Sequence, residues 1–363
     1  MLNPKYFDAN ATTPLHPAAR EAWLSAPWHN ASGLYADGAA ARELLEDCRG
    51  RLADILVCEP EEVVFVSGAT EANNAVLHHF EGKLVAVSAL EHPSVREAAP
   101  DALTLAVTAD GVADLDALRD MLEQEKPALV SLMAANNETG ALQPWREALA
   151  LCCGADAAFH CDAAQWMGKM HAALIQECDF ITGSAHKFGG PKGVGFLKVS
   201  AAHGPLRWMR GGPQEGRQRG GTENVPGIAA MLAALEVHEE QLATAPYSSG
   251  PRDAFENAVA RAMPDVQFIA TGTPRLWNTS LFIVPPPTNV KWLARLSRAG
   301  FQLSTGSACS RGGGASEVLA AMGLPVDALT RVLRVSSLWE TTEDDWLALA
   351  ETIRVTAEMT KAE

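Results

Sequence analysis

Residues 178–195 read Cys178-Asp179-Phe180-Ile181-Thr182-Gly183-Ser184-Ala185-His186-Lys187-Phe188-Gly189-Gly190-Pro191-Lys192-Gly193-Val194-Gly195. The apolar run predicts a buried strand that ends in a lysine, and a glycine-dense loop follows. Lysine is rarely buried without a partner. One placed at a strand end beside flexible glycines has the setting of a reactive amine, such as one that forms a Schiff base. An ordinary loop-edge lysine is the alternative that Lys187 alone leaves open. The loop is not a P-loop, because the order G-x4-G-K-[ST] is absent.

Working outward, Ala157-Ala158-Phe159-His160-Cys161-Asp162-Ala163-Ala164-Gln165 places a carboxylate where another apolar strand stops, 25 residues before Lys187. Strand ends are where open α/β sheets build their sites. An acid there can hold a heteroaromatic nitrogen protonated, and a helix N-cap is its other reading. Farther upstream, Ser67-Gly68-Ala69-Thr70-Glu71-Ala72-Asn73-Asn74 follows a strand and opens a helix. Such a turn offers free N–H groups and a positive dipole end to an anion, with Thr70 adding a hydroxyl; an unoccupied helix cap is the alternative. His92, after the strand ending near Ala89, is placed to stack on a flat ligand or move protons, or to serve structure alone. Asn137 in Asn136-Asn137-Glu138-Thr139-Gly140 ends a strand too, in a segment that also makes good turn chemistry.

Two residues stand out in the last third. Leu303-Ser304-Thr305-Gly306-Ser307-Ala308-Cys309-Ser310-Arg311-Gly312-Gly313-Gly314 presents a cysteine in a small, hydrophilic, flexible loop. Free cysteine usually hides in a core, so this setting favours reactivity, whereas Cys161 and Cys178 lie in apolar strands and read as buried hydrophobes. Arg334 interrupts the apolar run Val332-Leu333-Arg334-Val335 with a charge that needs an anionic partner. A substrate carboxylate or a structural salt bridge would satisfy its fork.

The pattern around these residues predicts strands at 62–66, 83–89, 102–107, 128–134, 155–161 and 178–182. Polar helical stretches alternate with them around a largely parallel sheet. Leu44, Cys48, Leu52 and Leu56 keep a four-residue spacing on one face of a helix over 36–57. A long helix runs from about 223 to 242, and the breaker-rich stretch 245–251 marks a domain boundary. Beyond it the pattern predicts a smaller α+β unit: a helix from about 252, a strand at 278–284 stopped by three prolines, a helix at 290–299, a strand at 331–337 and a helix from 342.

The chain has 363 residues, of which 47% are apolar and 20% charged, the profile of a globular protein of about two domains. No window reaches the roughly 18 uninterrupted apolar residues of a membrane span, and the N-terminus lacks the pattern of a targeting segment. A cytoplasmic location is therefore expected. Twenty-nine Lys and Arg against 44 Asp and Glu leave a net charge of −15, which repels nucleic acid. Seven scattered cysteines without a C-x2-C pair give no zinc site and suit a reducing compartment.

Taken in order along one chain, these motifs resemble the cysteine desulfurases of the NifS/IscS type, in the class-V aminotransferase group of fold-type I pyridoxal-phosphate enzymes. The match runs from Tyr6-Phe7-Asp8-Ala9-Asn10-Ala11-Thr12-Thr13-Pro14 through the segments above to the cysteine loop. It includes Gly211-Gly212-Pro213-Gln214-Glu215 and Arg219-Gly220-Gly221-Thr222-Glu223-Asn224. The resemblance implies an α/β fold, with a large cofactor-binding domain at 14–246 and a small α+β domain formed by 1–13 and 247–363. It makes pyridoxal 5'-phosphate the cofactor, Lys187 the lysine that carries it, and Asp162 the partner of its pyridine nitrogen. Gln165 then bonds the ring hydroxyl, His92 stacks on the ring, and Ala69, Thr70, Ser184 and His186 hold the phosphate. Thr222 reaches the phosphate of a neighbouring subunit, which implies a homodimer with shared sites. Asn137, beside the cofactor, and Arg334 take the carboxylate of L-cysteine. Cys309 receives the sulfur as a persulfide for an acceptor or scaffold protein, for instance in iron–sulfur cluster assembly, and alanine is the other product.

Three features depart from the family pattern. The element near the N-terminus survives as Asn30-Ala31-Ser32, with Tyr35 near the expected histidine. The segment after Cys309 is one residue shorter and lacks a proline, and the C-terminus ends soon after its helix. A selenocysteine lyase or another class-V enzyme is the nearest alternative, and Cys309 argues against a plain aminotransferase. A catalytically quiet adaptor would need none of Lys187, Asp162 and Cys309. A nicotinamide oxidoreductase would need the G-x-G-x-x-G turn that is absent here.

Overall fold

In the computed structural model, residues 5–306 and 316–361 are described. The strands, in chain order, are β1 (Lys5–Tyr6), β2 (Val63–Val66), β3 (Val85–Ser88), β4 (Leu103–Leu105), β5 (Leu129–Ser131), β6 (Ala158–Asp162), β7 (Phe180–Ser184), β8 (Gly195–Val199), β9 (Gln267–Phe268), β10 (Thr279–Ile283), β11 (Phe301–Gln302) and β12 (Val332–Ser336). The central sheet has the order β2-β8-β7-β6-β5-β3-β4. Its run from β7 to β4 is parallel, while β8 is antiparallel to both of its neighbours. Two reversals through β8 leave β2 pointing the same way as β7. The carboxyl ends of β2, β3, β5, β6 and β7 therefore share one edge.

Composition explains the layering. Apart from the edge strand β4, every residue of this sheet is buried, as parallel strands covered on both faces require. Val63 and Phe65 join the core beneath the helices Ala36–Leu56 and Val225–Thr244. Their alternates Val64 and Val66 pack with Ala72 and Val76 of the helix Ala69–His79 on the other face.

The second sheet, β12-β10-β9, is antiparallel. It buries Phe282, Leu333 and Val335 against Phe255 of the helix Gly250–Ala262 and Trp346 and Leu349 of the helix Glu343–Lys361. Each such side chain contributes about 1.5–3 kcal/mol on burial. The N-terminus belongs to this second layer as well. β1 pairs in parallel with β11, Asp8 bridges to Ser336, and Phe7 enters the same core.

Three expectations need adjustment. Each predicted strand of the central sheet is present, but most are shorter than the apolar runs, because the ends turn into the loops that build the site. The strand Gly195–Val199 begins at the last residue of the glycine-dense loop and is not among the predicted strands; it pairs on both edges. The crossover from β6 to β7 carries the short 3-10 turn Ala172–Ile175 and no α-helix. No described helix is long and apolar enough to cross a membrane.

Gly195 is where β8 touches the turn after β2: a Cβ there would lie 2.4 Å from the Gly183 carbonyl oxygen and 2.6 Å from Gly68 Cα. Both obstacles are backbone, so Gly195→Ala is expected to cost about 1–3 kcal/mol in urea unfolding. Gly154→Ala, at a position with open space around it, should leave the midpoint nearly unchanged or raise it slightly.

Candidate active site

Lys187 closes the 3-10 turn Ala185–Lys187 that follows β7. Its Nζ donates to the main-chain carbonyls of Asn10 at 2.7 Å and Ala11 at 3.0 Å. The strap carrying those carbonyls is pinned to the same turn. Thr13 N–H donates to the His186 carbonyl, as does the Thr13 hydroxyl, which in turn accepts from Gly189 N–H. The amine is thus held by acceptors that carry no formal charge.

Asp162 ends β6 and is buried. One oxygen accepts from Ala164 N–H at 2.9 Å, the capping-type contact its position suggests, and the other from the Asn73 amide at 2.8 Å. Gln165 donates to the Asn10 carbonyl at 2.9 Å and accepts from Lys169 Nζ at 2.5 Å. Lys169, which sequence reasoning passed over, is itself buried and also donates to Asn10 Oδ1 at 3.1 Å. Burial, aided by the charges of Lys187 and Arg334, pushes its amine well below the ordinary lysine range.

His92 caps the short helix Pro93–Arg96, its Nδ1 facing Ser94 N–H at 3.1 Å and Ser94 Oγ at 2.8 Å. Burial lowers its pKa; Lys187 adds to that effect and Asp162 opposes it. The neighbouring Glu91 is a second residue the sequence did not flag. It is buried, accepts from Met133 N–H through Oε1, and has no hydrogen-bond partner for Oε2 among the described residues. Burial, with the charge of Asp162 behind it, holds the pKa of this carboxyl well above the usual range.

The turn between β2 and the 11-residue helix Ala69–His79 passes through Gly68 at φ +148°. A Cβ on Gly68 would stand 3.3 Å from Ser184 Oγ, so glycine keeps a cradle between the helix start and the end of β7. Ala69 is half-buried and Thr70 exposed at its rim. Glu71, whose desolvation is outweighed by Arg219 and Ser67, accepts from Ser67 N–H and braces the turn against Arg219. Thr222 is exposed and lines one hollow together with Ser67 and Arg219. His186 Nδ1 lies 3.1 Å from Thr12 Oγ1, and burial with the nearby Lys187 and Lys192 pushes its pKa down to about 4.

Arg334 is buried on β12, opposite Leu281. The anionic partner it finds is Asp8, at 2.5 Å, and it also donates to the carbonyls of Asn137 at 2.9 Å and Gly306 at 3.1 Å. Its Nε–H has no partner among the described residues. Asn137 is half-buried, and its carbonyl also accepts from Asn10 Nδ2. Tyr35 is exposed at the start of the helix Ala36–Leu56. Cys309 and the segment after it lie outside the described residues. Cys161 and Cys178 are fully buried, as expected of them, and the six described cysteines are free thiols. Among the described residues no group of three or more His, Cys, Asp or Glu could hold a metal ion.

A family model, Aminotransferase class-V, matches residues 5–349. The chain belongs to the class-V aminotransferase family. This family member is 35% identical over 348 residues to a cysteine desulfurase of Klebsiella pneumoniae, across 91% of this chain and 87% of that protein. It is 32% identical over 368 residues to the cysteine desulfurase IscS of Dictyoglomus turgidum, across 95% and 92%. Two solved NifS-like proteins share its fold. One has a TM-score of 0.88 and 29% identity. The other, from Rickettsia africae, has 0.89 and 28%, and each alignment covers 98% of this chain and 100% of that one.

The class-V family depends on pyridoxal phosphate, and the residues present fit that group. Asp162 supplies a buried carboxylate for a pyridine nitrogen, the glycine cradle at the head of the helix Ala69–His79 suits a phosphate, and Lys187 stands on the neighbouring strand end.

Glu91 makes a pH-dependent contribution to stability. Its proton is retained in the folded state to higher pH than the value of about 4.3 in an unfolded chain. The folded state therefore binds more protons above that pH, and stability falls as pH rises. Glu91→Gln should gain on the native protein from pH 5 to pH 7, by up to about 1.4 kcal/mol per pH unit, read from denaturant unfolding at each pH.

Proposed function

We propose that the protein is a pyridoxal-phosphate-dependent cysteine desulfurase that takes sulfur from L-cysteine, leaves L-alanine, and hands the sulfur on from Cys309. The observation that carries this reading is the convergence of Lys187, Asp162, His92 and the glycine cradle on one sheet edge, with Arg334 bonded to the carbonyl of Gly306, at the entrance to the cysteine segment. The named desulfurases at 32–35% identity support it.

Bound to Lys187, the cofactor supplies an electron sink for the pair released when the Cα–H bond of the substrate breaks. Lys187 would take that proton on its Nζ, and the Asn10 and Ala11 carbonyls orient the amine. With pyridoxal phosphate bound, Asp162 would hold a proton on the pyridine nitrogen, Gln165 would bond the ring hydroxyl and His92 would stack on the ring. Ala69, Thr70, Ser184 and His186 would hold the phosphate, together with Thr222 of a second copy. The substrate carboxylate would be taken by Arg334, whose Nε–H has no partner among the described residues, and by Asn137. The Cys309 thiolate then bonds to the substrate sulfur as the carbon–sulfur bond breaks. The electron pair of that bond stays on Cβ, which takes up a proton from solvent, while Cα recovers its own electron pair and the proton held by Lys187, and the product leaves as alanine.

The finer parts of this reading are a cytoplasmic homodimer and an acceptor or scaffold protein that receives the persulfide, iron–sulfur cluster assembly being one such use. It also divides the chain into a large cofactor-binding domain, 14–246, and a small domain, 1–13 with 247–363.

Alanine and sulfide release from L-cysteine with a thiol reductant tests the proposal. The native protein should release both, while Cys309→Ala should keep the cofactor absorbance and lose at least about two orders of magnitude in rate, as expected when a nucleophile is removed. Equal rates for the two proteins would remove Cys309 as the sulfur carrier and favour a lyase acting directly on the substrate.

A further inference from the structure

Asn73 is fully buried on the helix Ala69–His79, and nothing in the reaction as written uses it. Its side-chain amide nonetheless has all of its hydrogens engaged. Nδ2 donates to Asp162 Oδ2 at 2.8 Å and to Ser94 Oγ at 2.9 Å, while Oδ1 accepts from the Thr182 hydroxyl at 2.7 Å. The carboxylate of Asp162 accepts only, so the NH2 end of the amide must face it. The carbonyl end then faces Thr182, whose hydroxyl must donate.

The direction propagates further. Ser94 Oγ already accepts from Asn73, so its own hydrogen is available for the atom 2.8 Å away, His92 Nδ1. Ser94 N–H points at the same nitrogen from 3.1 Å. Two donors converge on Nδ1, which therefore carries no proton, and the neutral ring has its hydrogen on Nε2.

We propose that Asn73 is a positioning residue that couples the carboxylate of Asp162 to the tautomer of His92, through a one-way chain from Thr182 by way of Asn73 and Ser94. The inference rests on the cofactor-site reading above for its purpose, but not for its geometry. A second proton on His92 has only Nδ1 to go to, and two donors occupy that position. His92 is therefore a neutral ring with its hydrogen on Nε2, and Nδ1 is closed to a second proton. The charged groups around the ring are Asp162, Lys187, Arg96 and Glu97, and burial lowers its pKa in the same sense.

The test is nitrogen NMR of the holoenzyme labelled in its histidine side chains, with His92→Gln to assign the signal. The native protein should show an unprotonated Nδ1 and a protonated Nε2 that do not titrate between pH 6 and pH 8. Thr182→Val removes the hydroxyl that fixes the amide, Asn73→Leu removes the amide itself, and Ser94→Ala removes the hydroxyl donor, while the Ser94 N–H stays on Nδ1 in all three. Each should raise the share of the other tautomer and move the ring's titration upward, toward that window. A proton on Nδ1 in the native protein overturns the proposal. So does an unchanged His92 spectrum in Thr182→Val together with Asn73→Leu; if Asn73→Leu fails to fold, an unchanged Thr182→Val spectrum alone overturns it. Because the readout is a ring nitrogen, these results are independent of whether L-cysteine is turned over, and failure of the desulfurase assay leaves them standing.

Discussion

Asn10 is the joint on which the two halves of the molecule meet. Its carbonyl accepts from both Lys187 and Gln165, and its side-chain oxygen accepts from Lys169. Its side-chain nitrogen donates to the Asn137 carbonyl and the Thr279 hydroxyl, and its own N–H donates to Ser336. One buried residue thus ties the ends of β6 and β7 to β10 and β12. Leaving any of these groups unpaired in the interior would cost about 1–3 kcal/mol, so the strap has little freedom to move without disturbing the amine it covers.

The electrostatics of the site follow from the same burial. Charges removed from water cost several kcal/mol each unless they are paired or neutralised, and this site uses both remedies. Arg334 is paired with Asp8 and two carbonyls. Burial pushes Glu91 toward its neutral form and Lys169 toward its uncharged form. Asp162 keeps the acceptor role that a protonated pyridine needs because Asn73 and Ala164 donate to it.

The residues that carry recognisable chemistry were legible in advance: Lys187, Asp162, His92, the turn at Gly68 and the cation in β12 each announce themselves as an anomaly in an apolar or glycine-rich run. Their supports were not. Asn73 sits in a quoted motif, yet no local signal says that its amide meets a carboxylate 89 positions later. Lys169 reads as a helix-end lysine and Glu91 as the acid before a histidine, and only packing shows that both are buried. Asp8 is the sharpest case. The sequence demanded an anion for Arg334 but could not say that the chain supplies one 326 residues away.

By itself the sequence determined the alternation of strands and helices and the family. These depend on local patterning and on residue types at fixed spacing, which a linear text records. Tertiary structure alone decided the direction of β2 and β8, the strap over Lys187 and the hydrogen-bond directions around Asp162. Those are long-range choices, made by which edges pair and which polar groups must be satisfied once water is excluded, and no spacing along the chain encodes them.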